Sequence, residues 1–203
     1  MHQLIAHARS FESRCAERSE DFRRLAAGQS PQVLFITCSD SRVVPSLITG
    51  AGPGDLFELR TAGNIVPEYS HEHPAGEIAT IEYAVRVLGV RHIVVCGHSH
   101  CGAVGALVRD DDLRAAPAVR GWLDIAAPQP PRCGEAAAAA APSPDLADAV
   151  QRHALAQVQR LREYPCVREA TASGRISLDT WFYEVHTGAV HSHRPQAGTF
   201  QPL

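Results

Sequence analysis

Apolar side chains recur at steps of three, four and seven residues along the first part of the chain, at Leu4, Ala8, Phe11, Cys15, Phe22 and Leu25. That spacing lays one stripe along a helix, or along two broken helices, over residues 3–27. Gly28 stops it and Gln29-Ser30-Pro31 forms the exit. The pattern then changes. Val33-Leu34-Phe35-Ile36 is an unbroken apolar run, as expected of a short strand covered on both faces, and it leads to Cys38. Asp55 to Arg60 predicts a second strand after the Gly50–Gly54 turn cluster. Helical spacing returns from Gly76 to Leu88, with Ile78, Ile81, Ala84, Val85 and Leu88 on one face and Gly89 as the stop. His92-Ile93-Val94-Val95-Cys96 predicts a third buried strand, ending just before His98.

Further on, residues 127–144 are rich in Ala and Pro and read as a surface linker. A long helix follows, with Pro144 near its first turn and a stop at Tyr164-Pro165. Ile176 to Val185 and Ala189 to Ser192 predict two strands joined at Thr187-Gly188, a closing hairpin. Strands alternating with helices predict an α/β fold: a central, mostly parallel sheet flanked by helices, with an N-terminal helical arm and a C-terminal strand hairpin. The 203 residues suit one domain, since neither an internal repeat nor a second boundary is visible. Cys38 and His98 both fall at the carboxyl ends of buried strands, where open α/β sheets bind their ligands.

Charge narrows the partners. A formal net charge of -3 leaves no basic surplus to neutralise phosphates, which argues against nucleic acid. All 19 basic residues are Arg, a compositional bias that gives no single surface arginine a meaning. No apolar run is long enough to span a bilayer. The opening Met1-His2-Gln3-Leu4 lacks the charged-then-apolar layout of a secretory signal, so a cytoplasmic protein is expected. In that compartment the 6 cysteines are better suited to metal ligation than to bridges. Cys15, Cys96, Cys133 and Cys166 have no ligand-like neighbours and read as incidental thiols.

Cys38 and Cys101 are different. Cys38-Ser39-Asp40-Ser41-Arg42 is answered sixty residues later by His98-Ser99-His100-Cys101. Two thiolates and one imidazole suit zinc, and three protein ligands leave one tetrahedral corner free, as in catalytic sites. Asp40 is open to three readings: a fourth ligand, an acceptor for a water on the metal, or a partner for Arg42. Two of the three need the metal.

Cys38-Ser39-Asp40-Ser41-Arg42-Val43 with His98, Cys101 and Gly102 resembles the β-class carbonic anhydrases. So do Gly28-Gln29-Ser30-Pro31, Pro53-Gly54-Asp55-Leu56-Phe57, Arg60-Thr61-Ala62-Gly63-Asn64-Ile65-Val66-Pro67, Glu82-Tyr83-Ala84-Val85 and Phe200-Gln201-Pro202-Leu203. The likeness covers nearly the whole chain and is weakest over 127–144. It implies Zn2+ as cofactor, carbon dioxide and bicarbonate as substrates, and reversible hydration of carbon dioxide to bicarbonate and a proton. It implies Cys38, His98 and Cys101 as permanent zinc ligands. Asp40 either closes the site as fourth ligand or pairs with Arg42 and leaves it open. Gln29, Phe57, Ala62, Tyr83 and Gly102 fall where the family lines its substrate pocket. That pocket draws on two subunits, so a homodimer or an assembly of dimers is implied. Thr61 departs from the Asn that many members carry there, which bears on how Arg60 is held.

Some members have a second, noncatalytic bicarbonate site that depends on a Trp three residues before the first zinc cysteine. Phe35 stands there, without an N–H to donate, and Gln29 matches members lacking that inhibition; the resemblance implies the nonallosteric type. Relatives on the same fold that hydrolyse carbonyl sulfide or carbon disulfide share the motifs. A noncatalytic zinc-stabilised module would need neither Asp40, Arg42 nor Gln29, and a thiol redox protein would want a Cys-x-x-Cys pair. His71 and His73 suit either a proton relay or a solvated loop. His186, His191 and His193 are expected to face solvent on the hairpin.

Overall fold

The computed structural model describes residues 1–126 and 144–203. Within them the chain forms two compact units, Met1–Ser30 and Pro31–Leu203. The linker expected over 127–144 lies outside the described residues except for Pro144, which opens a helix.

In the first unit the apolar stripe is cut into three helices, α1 (His2–Arg9), α2 (Phe11–Ala16) and α3 (Ser19–Leu25). Ser10 marks the first break: its hydroxyl donates to the His7 carbonyl, the local bond by which serine competes with helix continuation. Phe11 and Phe22 meet edge to face, ring centroids 5.9 Å apart, and join α2 to α3. The stripe is far from used up within the chain, since Leu4 is 71% and Phe11 52% exposed.

The second unit contains β1 (Val33–Cys38), α4 (Pro45–Thr49), β2 (Leu56–Thr61) and a single tight turn at Ala62–Asn64. Next come α5 (Gly76–Glu82), which widens into a π-helical stretch over Tyr83–Leu88, β3 (His92–His98), α6 (Gly102–Arg109) and α7 (Pro117–Ala126). The described chain closes with α8 (Pro144–Glu163), α9 (Pro165–Ala172), β4 (Ser177–Tyr183), β5 (Val190–Arg194) and β6 (Thr199–Pro202). The strands form one sheet in the order β2-β1-β3-β4-β5-β6. The first four run parallel, and β5 and β6 return antiparallel. This is the expected mostly parallel α/β sheet flanked by helices.

Three details differ. β6 extends the closing hairpin to three strands; only Phe200 turns inward from it, packing on Phe182 at 6.4 Å, so the segment has no alternation of its own. Tyr164-Pro165 ends one helix and also starts another, because Pro is preorganised for a first helical position. His191 and His193 do not face solvent but lie half-buried against Phe182 and Phe200, at 6.4 and 5.3 Å.

The continuous apolar runs of β1 and β3 are explained by cover on both faces. Leu34, Ile36, Ile93 and Val95 share a core with Ile78, Ile81 and Val85 of the α5 segment and with Val158, Leu161 and Tyr164 at the end of α8. On the opposite face Phe35 pairs with Val94 in register and sits edge to face with Trp181, 5.8 Å away. The inner face of α8 combines Ala149, Val150, Ala154, Val158 and Leu161 with two buried polar residues, His153 and Gln157. Among the described residues no helix is long and apolar enough to cross a membrane.

Candidate metal centre

β1 ends on Cys38 and β3 on His98, and the two strands are neighbours, so both side chains arrive together at the carboxyl end of the parallel strands. Beyond His98 the chain turns sharply at His100, a non-glycine residue with φ +58°, and Cys101 becomes the residue from which α6 starts. One ligand atom from each of Cys38, His98 and Cys101 falls within 4.8 Å of the other two. The residues are 6%, 0% and 1% exposed.

This triad fits zinc by two independent signs. The sulfurs of Cys38 and Cys101 are 4.0 Å apart; two zinc–sulfur bonds of about 2.3 Å at a tetrahedral angle set sulfurs about 3.8 Å apart. The His98 Nδ1–H donates to the Ser99 carbonyl at 2.9 Å. That fixes the tautomer and leaves the lone pair on Nε2, which is buried without a hydrogen-bond partner. A buried imidazole nitrogen aimed at two thiols and bonded to nothing is a ligand in waiting. Ser99 is itself anchored: its N–H donates to the Tyr183 carbonyl and its hydroxyl accepts the Val185 N–H, each at 2.9 Å.

The electrostatics favour a thiolate. The Cys38 thiol is drawn well below the usual thiol range, chiefly by the hydrogen bond from Cys101, against the cost of burial, with His98 and the Gly63 and Asp40 backbone assisting. Cys101 is pushed up by the same contact with Cys38 and by burial. The Gly63 N–H donates to the Cys38 sulfur at 3.3 Å.

Asp40 and Arg42 stand beside the triad. Arg42 Nε and Nη2 bond the two Asp40 oxygens at 2.9 and 2.7 Å, and the Arg42 backbone N–H adds a third bond at 3.0 Å. This grip holds the Asp40 carboxyl well below the usual carboxylate range. Arg42 Nη2 also donates to the His100 carbonyl, tying the two motifs together. Asp40 Oδ2 lies 3.9 Å from His98 Nε2, beside the open side of the triad.

Arg60 emerges as a residue the sequence marks only faintly. Its guanidinium donates to the carbonyls of Cys38, Asp40 and Val43, at 3.1, 2.9 and 2.8 Å from Nη2, and so pins the whole first motif. Thr61, where many members carry Asn, closes its own turn through a bond to the Ile65 carbonyl.

The expected pocket residues divide. Ala62 follows Thr61, the register partner of Cys38, and Gly102 opens α6 next to Cys101; both lie on the triad's side of the sheet. Phe57 pairs with Leu34, four residues upstream of Cys38, hence about 13 Å away along the strand. Tyr83 joins Phe57, not the triad, with ring centroids 6.0 Å apart. Gln29 belongs to the first unit. His71 and His73 are exposed, and the His100 ring lies 6.0 Å from that of His186.

Residues 33–190 match the sequence profile of a family described as carbonic anhydrase. A carbonic anhydrase of Pseudomonas aeruginosa is 48% identical over 174 residues, which cover 85% of this chain and 78% of that protein. The β-carbonic anhydrase CcaA superposes with a TM-score of 0.87 at 35% identity, over 100% of this chain and 92% of that one. One of two tetrameric β-carbonic anhydrases from Sordaria macrospora gives a TM-score of 0.77 at 27% identity, over 98% of both chains.

Proposed function

Since this chain belongs to the β-class carbonic anhydrases, a zinc-dependent family of lyases, we propose that it catalyses the reversible hydration of carbon dioxide to bicarbonate and a proton at the Cys38–His98–Cys101 centre. The observation that carries the reading is the buried triad with its unpartnered His98 Nε2, flanked by a carboxylate locked to an arginine. A structural site has no use for that pair.

In this reading Cys38 Sγ, Cys101 Sγ and His98 Nε2 would hold the zinc. Bound there, zinc supplies Lewis acidity, which brings the pKa of a water to about 7. Asp40, kept ionised by Arg42, accepts a hydrogen bond on the open side and orients the nucleophile. Turned away from Arg42, the same carboxylate could serve as a fourth ligand and would then close the site. Arg42 thereby sets whether the site is open. Arg60 keeps the Cys38–Val43 segment in place, and the Ser99 carbonyl keeps the His98 ring oriented. Gln29 donates its amide hydrogen to a substrate oxygen as charge develops there. Phe57, Ala62, Tyr83 and Gly102 line the approach for a small apolar gas.

The placement of Phe57 and Tyr83 supports a homodimer or an assembly of dimers. Phe57 sits too far along β2 from its own chain's Cys38 to line that pocket, and Tyr83 packs on Phe57, so a second copy would supply both. The exposed apolar stripe of α1 and α2 supports the same assembly. Both units, residues 1–203, then serve one catalytic domain. The cytoplasm is the compartment we propose, because it keeps Cys38 and Cys101 reduced and available to metal.

Metal analysis with stopped-flow hydration on one preparation tests the proposal. One zinc per chain and rapid hydration, both lost in Cys101→Ala, is the expected result. Full zinc content in that variant overturns the ligand set, and carbonyl sulfide hydrolysis without hydration overturns the substrate.

A further inference from the structure

The Gly63 N–H that bonds the Cys38 sulfur belongs to a peptide gripped at its other end. The carbonyl of that same peptide, on Ala62, accepts the Trp122 Nε1–H at 2.8 Å. Indole, peptide and sulfur thus form one line of hydrogen bonds from α7 to the thiolate. The next peptide is gripped as well: the Gly63 carbonyl accepts the His153 Nε2–H at 2.7 Å. Gln157, one turn further along α8, accepts the Val66 N–H at 2.9 Å, and the Tyr164 hydroxyl donates to the Pro67 carbonyl at 2.9 Å. Two polar side chains on the inner face of α8, and Tyr164 just past its end, therefore bind three backbone groups of a single loop.

Such residues are costly to bury, and their partners explain why they stand there. Gly63 adopts φ +74°, and a Cβ on it would come within 3.1 Å of the Ala103 methyl. The turn is shaped to bring its N–H to the sulfur, and Trp122 and His153 hold that shape from two sides. Both hydrogen-bond the backbone of the turn rather than a triad side chain. A donor on an amide carbonyl polarises the amide and strengthens the bond its N–H makes. A hydrogen bond to a thiolate lowers the energy of the sulfur lone pairs and reduces the charge they give a metal.

We propose that Trp122 and His153 are positioning residues that fix the Ala62–Gly63 amide on the Cys38 sulfur and so set how strongly that sulfur donates to the metal. This rests on the triad being the metal site.

The test replaces zinc with cobalt(II), whose thiolate charge-transfer band reports on sulfur donation directly. Trp122→Phe keeps the ring and removes the N–H. His153→Leu removes a donor, and His153→Gln restores an N–H. In Trp122→Phe and His153→Leu the band should move to lower energy and the pH midpoint of hydration should rise. His153→Gln should recover most of each change. Circular dichroism and melting separate this from unfolding. A band and pH midpoint unchanged in folded Trp122→Phe overturn the proposal, as does a His153→Gln variant no better than His153→Leu. Absence of any thiolate band in the cobalt-loaded unaltered protein instead overturns the metal-site reading itself.

Discussion

Gly97 and Val150 are in such close approach that a Cβ built on Gly97 would stand 2.8 Å from Val150 Cγ1 and 3.5 Å from the Ala154 methyl. The missing side chain lets α8 rest directly on β3, one residue before His98. Gly97→Ala should push the helix off the strand. The expected cost is about 1–3 kcal/mol, read in urea unfolding, with zinc affinity falling alongside. A variant as stable as the parent, with unaltered affinity, would show that α8 has room to give.

Arg42→Ala removes the grip on Asp40 and leaves that carboxylate 3.9 Å from His98 Nε2 with its competing partner gone. Hydration should fall by about 10- to 100-fold with zinc retained. Because Arg42 is what depresses the Asp40 carboxyl, the lost pairing is one present above the usual carboxylate pKa and given up as pH falls through the folded value. A pH–rate profile that overlays the parent's would end the idea of an Asp40 switch.

A pocket shared between copies predicts complementation. Cys101→Ala chains lack the metal site, and Tyr83→Ala chains lack the ring that the partner site needs. Mixed and allowed to exchange subunits, the two weak preparations should form heterodimers with one intact pocket and regain activity. A monomer at working concentration by sedimentation, fully active, would rule the shared pocket out.

His153 makes part of the stability depend on pH. Burial, with the charge of Arg160 adding to it, holds the imidazole below its usual pKa, while the Gly63 carbonyl and Cys38 pull the other way. The folded value is thus below the unfolded one of about 6.5. Its contribution is complete above that pH and is lost as pH falls through the folded value. The gap in melting temperature between the parent and His153→Gln should therefore narrow from about pH 7.5 to about pH 5. A constant gap would assign the shift to other groups.

Phe35 is 1% exposed and packed against Trp181. It offers an anion no donor, and a bicarbonate placed there would forgo a charge-assisted hydrogen bond. Activity should thus decline hyperbolically with added bicarbonate. A sigmoidal collapse would contradict the nonallosteric assignment.

The triad was legible in the sequence because soft donors at strand ends are uncommon and carry their chemistry in their names: Cys38, His98 and Cys101. The strands were legible because burial on both faces leaves an unbroken apolar run. Arg60, Trp122 and His153 were not, because their partners are backbone carbonyls, which every residue has, at positions 17 to 90 residues away. The sole mark of His153 and Gln157 is a polar residue at an apolar position of the α8 stripe. Phe57 and Tyr83 were singled out by resemblance alone; the β1–β2 register shows how far Phe57 lies from its own Cys38, and the ring contact sets Tyr83 beside it.

The inner face of α8 meets two parts of the site within about two turns: Val150 and Ala154 on the strand that carries His98, His153 and Gln157 on the loop that carries the Gly63 N–H. Substitutions there will not add. A change at Val150 that makes room for Gly97→Ala also moves His153, so the pair must be scored together, and a double-mutant cycle between positions 97 and 153 should return an interaction energy well away from zero. The helix thereby makes a metal centre and a packing problem into one unit of inheritance: drift at any of these positions is constrained by all the others.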